Sequence, residues 1–342
     1  MGEGARVSAV VLAYGTQPLL ERVIDSLLTS TGVDVDVVLV DNGGEKAVLE
    51  KLARTPGVRV ETPGRNTGFA AGSNLGARAA GGEYVAFVNG DVLVRPDALA
   101  ELIASLNRPD GPTAGLATAS VRLLDEPDVI NSAGNPVHFL GLSWAGGLNR
   151  PASEYAATRP VAAASGATTV MRRDQFLEVG GFCETLFTYV EDTDLSLRVW
   201  QRGWSVTYVP AAVALHDYEF GRNPGKFYLL ERNRLFVVMT VFPARLLALV
   251  APALLAFEVA VLAVSLRDRW AREKVRGWWW LIRHLGVVRR RRREVTSARV
   301  LGDQEFAALL TSTFDPGVEG IGVPRSGQRL LDVYWRGVRR LL

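Results

Sequence analysis

Residues 7–42 read VSAVVLAYGTQPLLERVIDSLLTSTGVDVDVVLVDN, and the pattern of this stretch decides the fold class. The runs 7–14 and 35–41 are β-branched and almost wholly apolar, as strands are when helices cover both faces of a parallel sheet. Between them Leu19, Leu20, Val23, Ile24, Leu27 and Leu28 recur at helical spacing behind Pro18, a residue suited to a helix's opening turn. That is a βαβ unit. The apolar run 84–89 predicts a further strand and residues 69–80 a further helix, so the class is α/β, with a mainly parallel central sheet and flanking helices.

A sheet of this kind binds its ligand outside the carboxyl ends of its strands. Here those ends carry Tyr14-Gly15, Asp41-Asn42-Gly43-Gly44 and Asn89-Gly90-Asp91. From residue 109 to 159 the periodicity weakens among scattered glycines and prolines, including the turn-like Asn131-Ser132-Ala133-Gly134-Asn135-Pro136. Order returns with a strand over 167–172, helices over 174–179 and 192–202, and a strand over 204–209.

Each polar exit admits a bland reading beside a chemical one. Asp41 can accept from a nucleobase N–H or a ribose hydroxyl, or close an Asx turn. In the segment 66–74, Gly68 permits a tight turn, and the helix start behind it suits an anion such as a diphosphate. Asp91 can offer carboxylate oxygen to a divalent cation, or make a turn ahead of a helix opened by Pro96. Glu191 and Asp192 sit where a helix dipole favours carboxylates, as caps or with Asp192 as a general base. His216 follows small and apolar residues, which suits a core histidine or a metal ligand.

Net charge is +3, but residues 267–299 hold twelve Lys/Arg against three Asp/Glu, leaving −6 elsewhere. The basic stretch implies an anionic partner. Cys183 is the only cysteine and residues 1–14 do not read as a signal peptide, so the cytoplasm is the expected compartment.

Taken in order, residues 10–14, 38–42, 66–74, 84–96, Gly180-Gly181-Phe182, 189–198, His216 and Glu231-Arg232-Asn233-Arg234 resemble glycosyltransferase family 2, across about two thirds of the chain. The resemblance implies a GT-A fold and an inverting sugar transfer from a nucleoside-diphosphate donor. It implies a donor site comprising Ala13, Tyr14, Asp41, Asn66, Gly68, Asn74, Asn89 and Asp91. Asp91 and His216 are the implied ligands of Mg2+ or Mn2+, Asp192 the base, and Glu191 lies on the acceptor side, as does the irregular 109–159 region. The family's Asp-x-Asp signature stands here as Asn89-Gly90-Asp91, one charge poorer, a variant similar to a bacterial rhamnosyltransferase-like branch. A dTDP- or UDP-linked sugar, rhamnose in the leading case, is the implied donor.

Beyond residue 234 the character changes. Residues 246–266 are apolar but for Pro252 and Glu258, long enough to span a bilayer. A single span would separate the catalytic part from the arginines 289–293, which also prefer the cytoplasmic side, so a monotopic or re-entrant arrangement is expected. Trp278-Trp279-Trp280 suit the headgroup level. The divisions expected are a catalytic domain over 1–234, membrane-associating helices over 235–300 and a helical tail over 301–342. The expected setting is the cytoplasmic face of the cell membrane, peripheral or monotopic, with an anionic lipid surface and a lipid-linked glycan acceptor as partners. A dinucleotide oxidoreductase is excluded, because Ala13-Tyr14-Gly15-Thr16-Gln17-Pro18 stands where Gly-x-Gly-x-x-Gly would be needed. A nucleotidyltransferase would want a basic triphosphate loop near the first strand. A catalytically inactive scaffold is the non-enzymatic alternative, and no nucleic-acid module accompanies the arginines.

Overall fold

The computed structural model describes residues 4–108, 113–218, 226–317 and 324–342; residues 109–112, where the irregular region was expected to begin, lie outside them. The chain opens with β1 (Ala5–Gly15), α1 (Leu20–Leu28), β2 (Val33–Gly44), α2 (Lys46–Leu52), β3 (Val58–Glu61), α3 (Gly68–Ala79) and β4 (Tyr84–Val88). Then come β5 (Val92–Val94), α4 (Ala98–Leu106), β6 (Ala114–Leu123), β7 (Ile130–Ser132), β8 (Val137–His138), β9 (Arg159–Pro160) and β10 (Thr168–Arg172). Two helices, α5 (Arg173–Glu178) and α6 (Glu191–Gln201), lead to the long β11 (Ser205–His216). The remainder is α7 (Lys226–Val241), α8 (Ala244–Arg267), α9 (Ala271–Arg283), α10 (Leu285–Ser297), α11 (Asp303–Ala308), β12 (Leu310–Thr311) and α12 (Arg325–Leu341).

The principal sheet runs β3-β2-β1-β4-β10-β6-β11-β5, with β7 beside β6 and β9 beside β11. The first four strands are mutually parallel, β10 inverts between β4 and β6, and β11 is parallel to β6. This is the α/β class expected, with helices on both faces. Burial of Leu20, Val23, Ile24 and Leu27 from α1 against the sheet contributes roughly 1.5–3 kcal/mol per side chain. On α3 the small residues are required by close approach: a Cβ on Gly72 would stand 2.8 Å from Leu12, and one on Gly76 would overlap Val10. The register sets Ala13 beside Asp41 and Val11 beside Val88, so the three polar exits lie along one edge.

The irregularity expected over 109–159 is only partly found. Residues Ala114–Leu123 of it form β6, a central strand with β11 on one side and β10 and β7 on the other. Its residues Ala117, Thr118, Ala119 and Ser120 are small because both faces are covered, and Thr118 satisfies its buried hydroxyl on the Thr168 carbonyl at 3.3 Å. Small residues give no apolar period to read.

The C-terminal helices share one apolar cluster with the 137–140 and 183–197 segments. β12 pairs with β8, and Phe139 stacks on Trp335 with centroids 5.0 Å apart and planes 5° from parallel. Helix α8 runs unbroken through Pro252, without the reversal a re-entrant segment would need. It is inverted relative to an ordinary surface helix. Its inward face places Glu258 against Arg234 and, at 2.7 Å, Lys274, a lysine with no exposed surface, while Trp278 Nε1 donates to Glu258 at 2.6 Å. Outward stand Leu255, Val259 and Leu266, each about two-thirds exposed. Glu258 therefore finds ionic partners within the protein.

Helix α6 is fixed by Asp194, wholly buried, and Arg198 one turn on. The Arg198 Nε donates to Asp194 Oδ2 at 2.8 Å, and its Nη groups reach the Val179 and Gly181 carbonyls at 2.7 Å. Asp194→Ala leaves that guanidinium buried without its counter-charge, and chemical denaturation is expected to show a loss of about 3–5 kcal/mol.

Candidate active site

At the sheet's ligand edge β1 ends in buried Ala13 and exposed Tyr14, whose ring covers Gly43, the residue two beyond Asp41. Asp41 Oδ1 accepts from the Gly43 and Gly44 amides at 3.1 and 3.2 Å, so the Asx turn is made with one oxygen. Gly44 has no room for a side chain beside Ala13. Gln17 ties this corner together: its Oε1 takes the Tyr14 N–H at 2.9 Å, and its amide lies against Gly90.

The 66–74 segment behaves differently from its sequence reading. Asn42, buried after Asp41, accepts from the Thr67 amide and hydroxyl and donates to the Gly68 carbonyl. Asn66 Oδ1 takes the Gly68 amide at 2.8 Å, and Ala70 donates to the Phe187 carbonyl at 3.1 Å. Two of the amides at the start of α3 are thus bonded within the protein rather than open to an anion. Gly68, at φ +79°, has no space for a Cβ because the Phe187 carbonyl occupies it. Asn74 uses its amide on Phe182 N, Phe182 O and Glu184 Oε1, clamping the Gly180-Gly181-Phe182 turn onto α3.

Asp91 and His216 are brought together by strand pairing, since His216 of β11 stands opposite Val92 of β5. Asp91 Oδ1 lies 3.3 Å from His216 Nε2, is buried, and receives no hydrogen bond. His216 Nδ1 lies 3.0 Å from the Asn131 side-chain oxygen, which turns Nε2 towards Asp91. An imidazole nitrogen and an unbonded carboxylate oxygen thus face one another, a donor set that fits a divalent cation. Among the described residues no cluster of three or more His, Cys, Asp or Glu side chains surrounds it.

Asp192 is the most fully bonded carboxylate of the site. Its Oδ2 accepts from Gly166 N at 3.1 Å and Asn135 Nδ2 at 3.3 Å, and its Oδ1 from Thr193 N at 2.6 Å. The 164–167 loop holding it also accepts the Asn89 amide at the Ala167 carbonyl, so one loop joins Asp192 to Asn89-Gly90-Asp91. Burial pushes the Asp192 carboxyl up, against those hydrogen bonds, which hold it down. Neighbouring Glu191 is buried, its Oε2 lacks any donor, and burial followed by the charge of Asp192 raises it to about 8.

The segment before this pair is strained. Phe187, Tyr189 and Val190 all have φ near +70°, and Thr188 N donates to Leu186 O, closing a γ-turn on Phe187. Asn233, fully buried, donates from one amide nitrogen to the carbonyls of Leu186, Thr188 and Tyr189. Arg232 reaches Thr185 and Leu186. Sequence reasoning assigned no role to Gln17, Asn131, Asn135 and Gly166, and noted Asn42 only as part of the Asp41-Asn42-Gly43-Gly44 exit; the Asn131–Pro136 turn was the one signal available for two of them.

Comparison with known proteins bears on the family and the fold. The model of "Glycosyl transferase family 2" matches residues 8–139. The N-acetylglucosaminyl-diphospho-decaprenol L-rhamnosyltransferase of Mycobacterium tuberculosis is 30% identical over 259 residues, 67% of this chain and 82% of that protein. Among solved structures, GalNAc-T7 with UDP, GalNAc and Mn2+ superposes with a TM-score of 0.58 at 17% identity, over 70% of this chain and 48% of its own. TarS of S. aureus with UDP-GlcNAc gives 0.54 at 14% identity, over 98% and 90%. At such identities the structural likeness bears on the fold.

Because folded Glu191 keeps its proton to about pH 8, the stability it contributes is complete below the ordinary value of 4.5 and is lost as pH rises through 8. Melting temperatures measured from pH 4 to 9 should therefore fall more steeply for the wild type than for Glu191→Gln; parallel curves would refute this assignment.

Proposed function

The chain belongs to glycosyltransferase family 2, and on that premise we propose that it transfers a sugar, rhamnose in the leading case, from a dTDP- or UDP-linked donor to a hydroxyl of a lipid-linked glycan, with inversion. The observation that carries this reading is the single loop, 164–167, that holds Asp192 beside the Asn89-Gly90-Asp91 exit. In it Asp192 accepts the proton of the acceptor hydroxyl as that oxygen attacks the anomeric carbon. The donor bond to the diphosphate breaks on the opposite face, so no covalent intermediate is needed. Protonated Glu191 keeps a second negative charge away from the base. Tyr14 supplies a ring face for the nucleobase, Asp41 keeps Oδ2 for ribose or base, and Asn89 offers a carbonyl oxygen beside Asp91. Ala13 forms the floor, while Asn66, Gly68 and Asn74 shape the donor's wall through the contacts described above.

Asp91 and His216 would hold Mg2+ or Mn2+. When bound, such a cation supplies neutralisation of the charge developing on the leaving diphosphate. The GalNAc-T7 structure was solved with Mn2+.

The lipid-linked acceptor and the setting at the cytoplasmic face of the membrane rest on the mycobacterial relative's decaprenol-linked substrate and on the outward face of α8. In this reading α8 lies in the plane of an anionic bilayer surface, apolar side down. Its opposite side carries Glu258 with Lys274 and Arg234, charges that are better kept out of hydrocarbon.

Titration calorimetry with dTDP, UDP and their sugars, with and without Mn2+, tests the donor site: Asp91→Ala should abolish the metal-dependent part of binding. Asp192→Asn is expected to bind donor normally and lose about two to four orders of magnitude in kcat. Binding of none of these nucleotides by folded protein would remove the transferase reading. For the membrane, Leu255→Glu with Val259→Glu should abolish co-sedimentation with anionic vesicles while leaving nucleotide binding intact; unchanged sedimentation would refute the in-plane placement.

A further inference from the structure

A cavity of roughly 740 Å3 opens between α7, α9, α10 and the strained segment, lined by Phe187, Tyr228, Arg232, Arg276, Trp280 and Arg290 among others. Its chemistry divides by type. Three guanidinium groups enter it, and Arg276 and Arg290 are exposed and have no carboxylate partner among the described residues. The Arg276 guanidinium lies over the Tyr228 ring at 4.5 Å, and that of Arg232 lies 4.8 Å from the Trp280 centroid. The one acid in the lining, Glu184, already accepts from Asn74 and lies 3.7 Å from Arg78. Aromatic and aliphatic walls thus alternate with unneutralised positive charge.

The helix that brings Arg276 and Trp280 also carries exposed Val275, Trp279 and Ile282. The cavity therefore adjoins an apolar surface on one side. On another it adjoins Phe187, five residues before Asp192. Arg232 joins the two, since the guanidinium that stacks on Trp280 also donates to the Thr185 and Leu186 carbonyls of the strained segment.

We propose that this cavity binds the diphosphate and first isoprene units of a polyprenyl-diphosphate-linked acceptor, Arg276 and Arg290 taking the phosphates. The proposal rests on the lipid-linked acceptor reading above and adds the place where the carrier is held. An isoprenoid diphosphate is an anion joined to an apolar chain, and the cavity offers guanidinium cations, aromatic walls and an adjoining apolar surface. A volume of this size takes a diphosphate and a short length of prenyl chain, with the remainder following the exposed side of α9.

The probe is farnesyl diphosphate, titrated below its micellar concentration into the full chain, with dTDP and UDP titrated separately. Wild type should bind all of its donor nucleotide and farnesyl diphosphate independently. The Arg276→Ala/Arg290→Ala variant, altered only at exposed positions, should lose about tenfold or more in farnesyl diphosphate affinity with nucleotide affinity unchanged. With a lipid-linked acceptor the same variant should show a raised acceptor KM at a near-constant kcat. Equal farnesyl diphosphate affinity in the two proteins, or none in the wild type, overturns the proposal. A parallel loss of nucleotide and farnesyl diphosphate assigns the arginines to the donor instead, which also overturns it. Failure of nucleotide binding in the wild type would instead strike the transferase reading, so the two failures are distinguishable.

Discussion

Asn233 braces a segment in which three residues hold a conformation they would not adopt alone, and much of the rest is arranged around that fact. Left-handed or γ-turn geometry at Phe187, Tyr189 and Val190 costs on the order of 1–3 kcal/mol per residue. Its amide bonds to the carbonyls of Leu186, Thr188 and Tyr189 offset part of that cost. The return is orientation, because α6 begins directly behind the segment and presents Glu191 and Asp192 from its first turn. A relaxed backbone would start α6 in another direction. The same segment explains why residue 68 is glycine: the Phe187 carbonyl takes the volume a side chain would need.

Through α7 this constraint reaches the C-terminal half. Asn233 and Arg232 face the catalytic segment, while Glu231 and Arg234 on the same helix face Lys274 and Glu258. One helix thus has a polar register on two sides. The ionic contacts let α8 turn its charged residue inward and leave hydrocarbon outward, reversing the usual arrangement of a surface helix. An apolar stretch interrupted by one glutamate is therefore not simply a failed transmembrane span; the acid marks the side on which the protein lies.

The sheet was legible because Val7–Val11, Val37–Val40 and Tyr84–Val88 are buried on both faces, a condition that leaves an apolar run in the sequence. Strand β6 was missed because it fills the same environment with alanine, threonine and serine. At the site, Asp41, Asp91 and Asp192 stood out as acids placed at the exits of ordered elements, and their local neighbours explain them. Asn131, Asn135 and Gly166 did not, since each matters only for what it touches more than twenty residues away: His216 in one case, Asp192 in the other two. Asn74 shows the converse, a polar residue in a plausible motif whose amide turns out to be bonded to the backbone of residue 182.

The stacking of Phe139 on Trp335 and the pairing of β8 with β12 have a consequence for the order in which the protein is made. The two partners are separated by nearly two hundred residues, so at ordinary elongation rates the ring of Phe139 waits roughly ten to forty seconds for its cover. During that interval the sheet's β1–β4 portion already has its own helices, whereas the 137–140 segment presents apolar side chains and an open strand edge to the cell. Burial of the 137–140 segment therefore waits on synthesis of the C-terminal helix, however fast the rest of the chain folds.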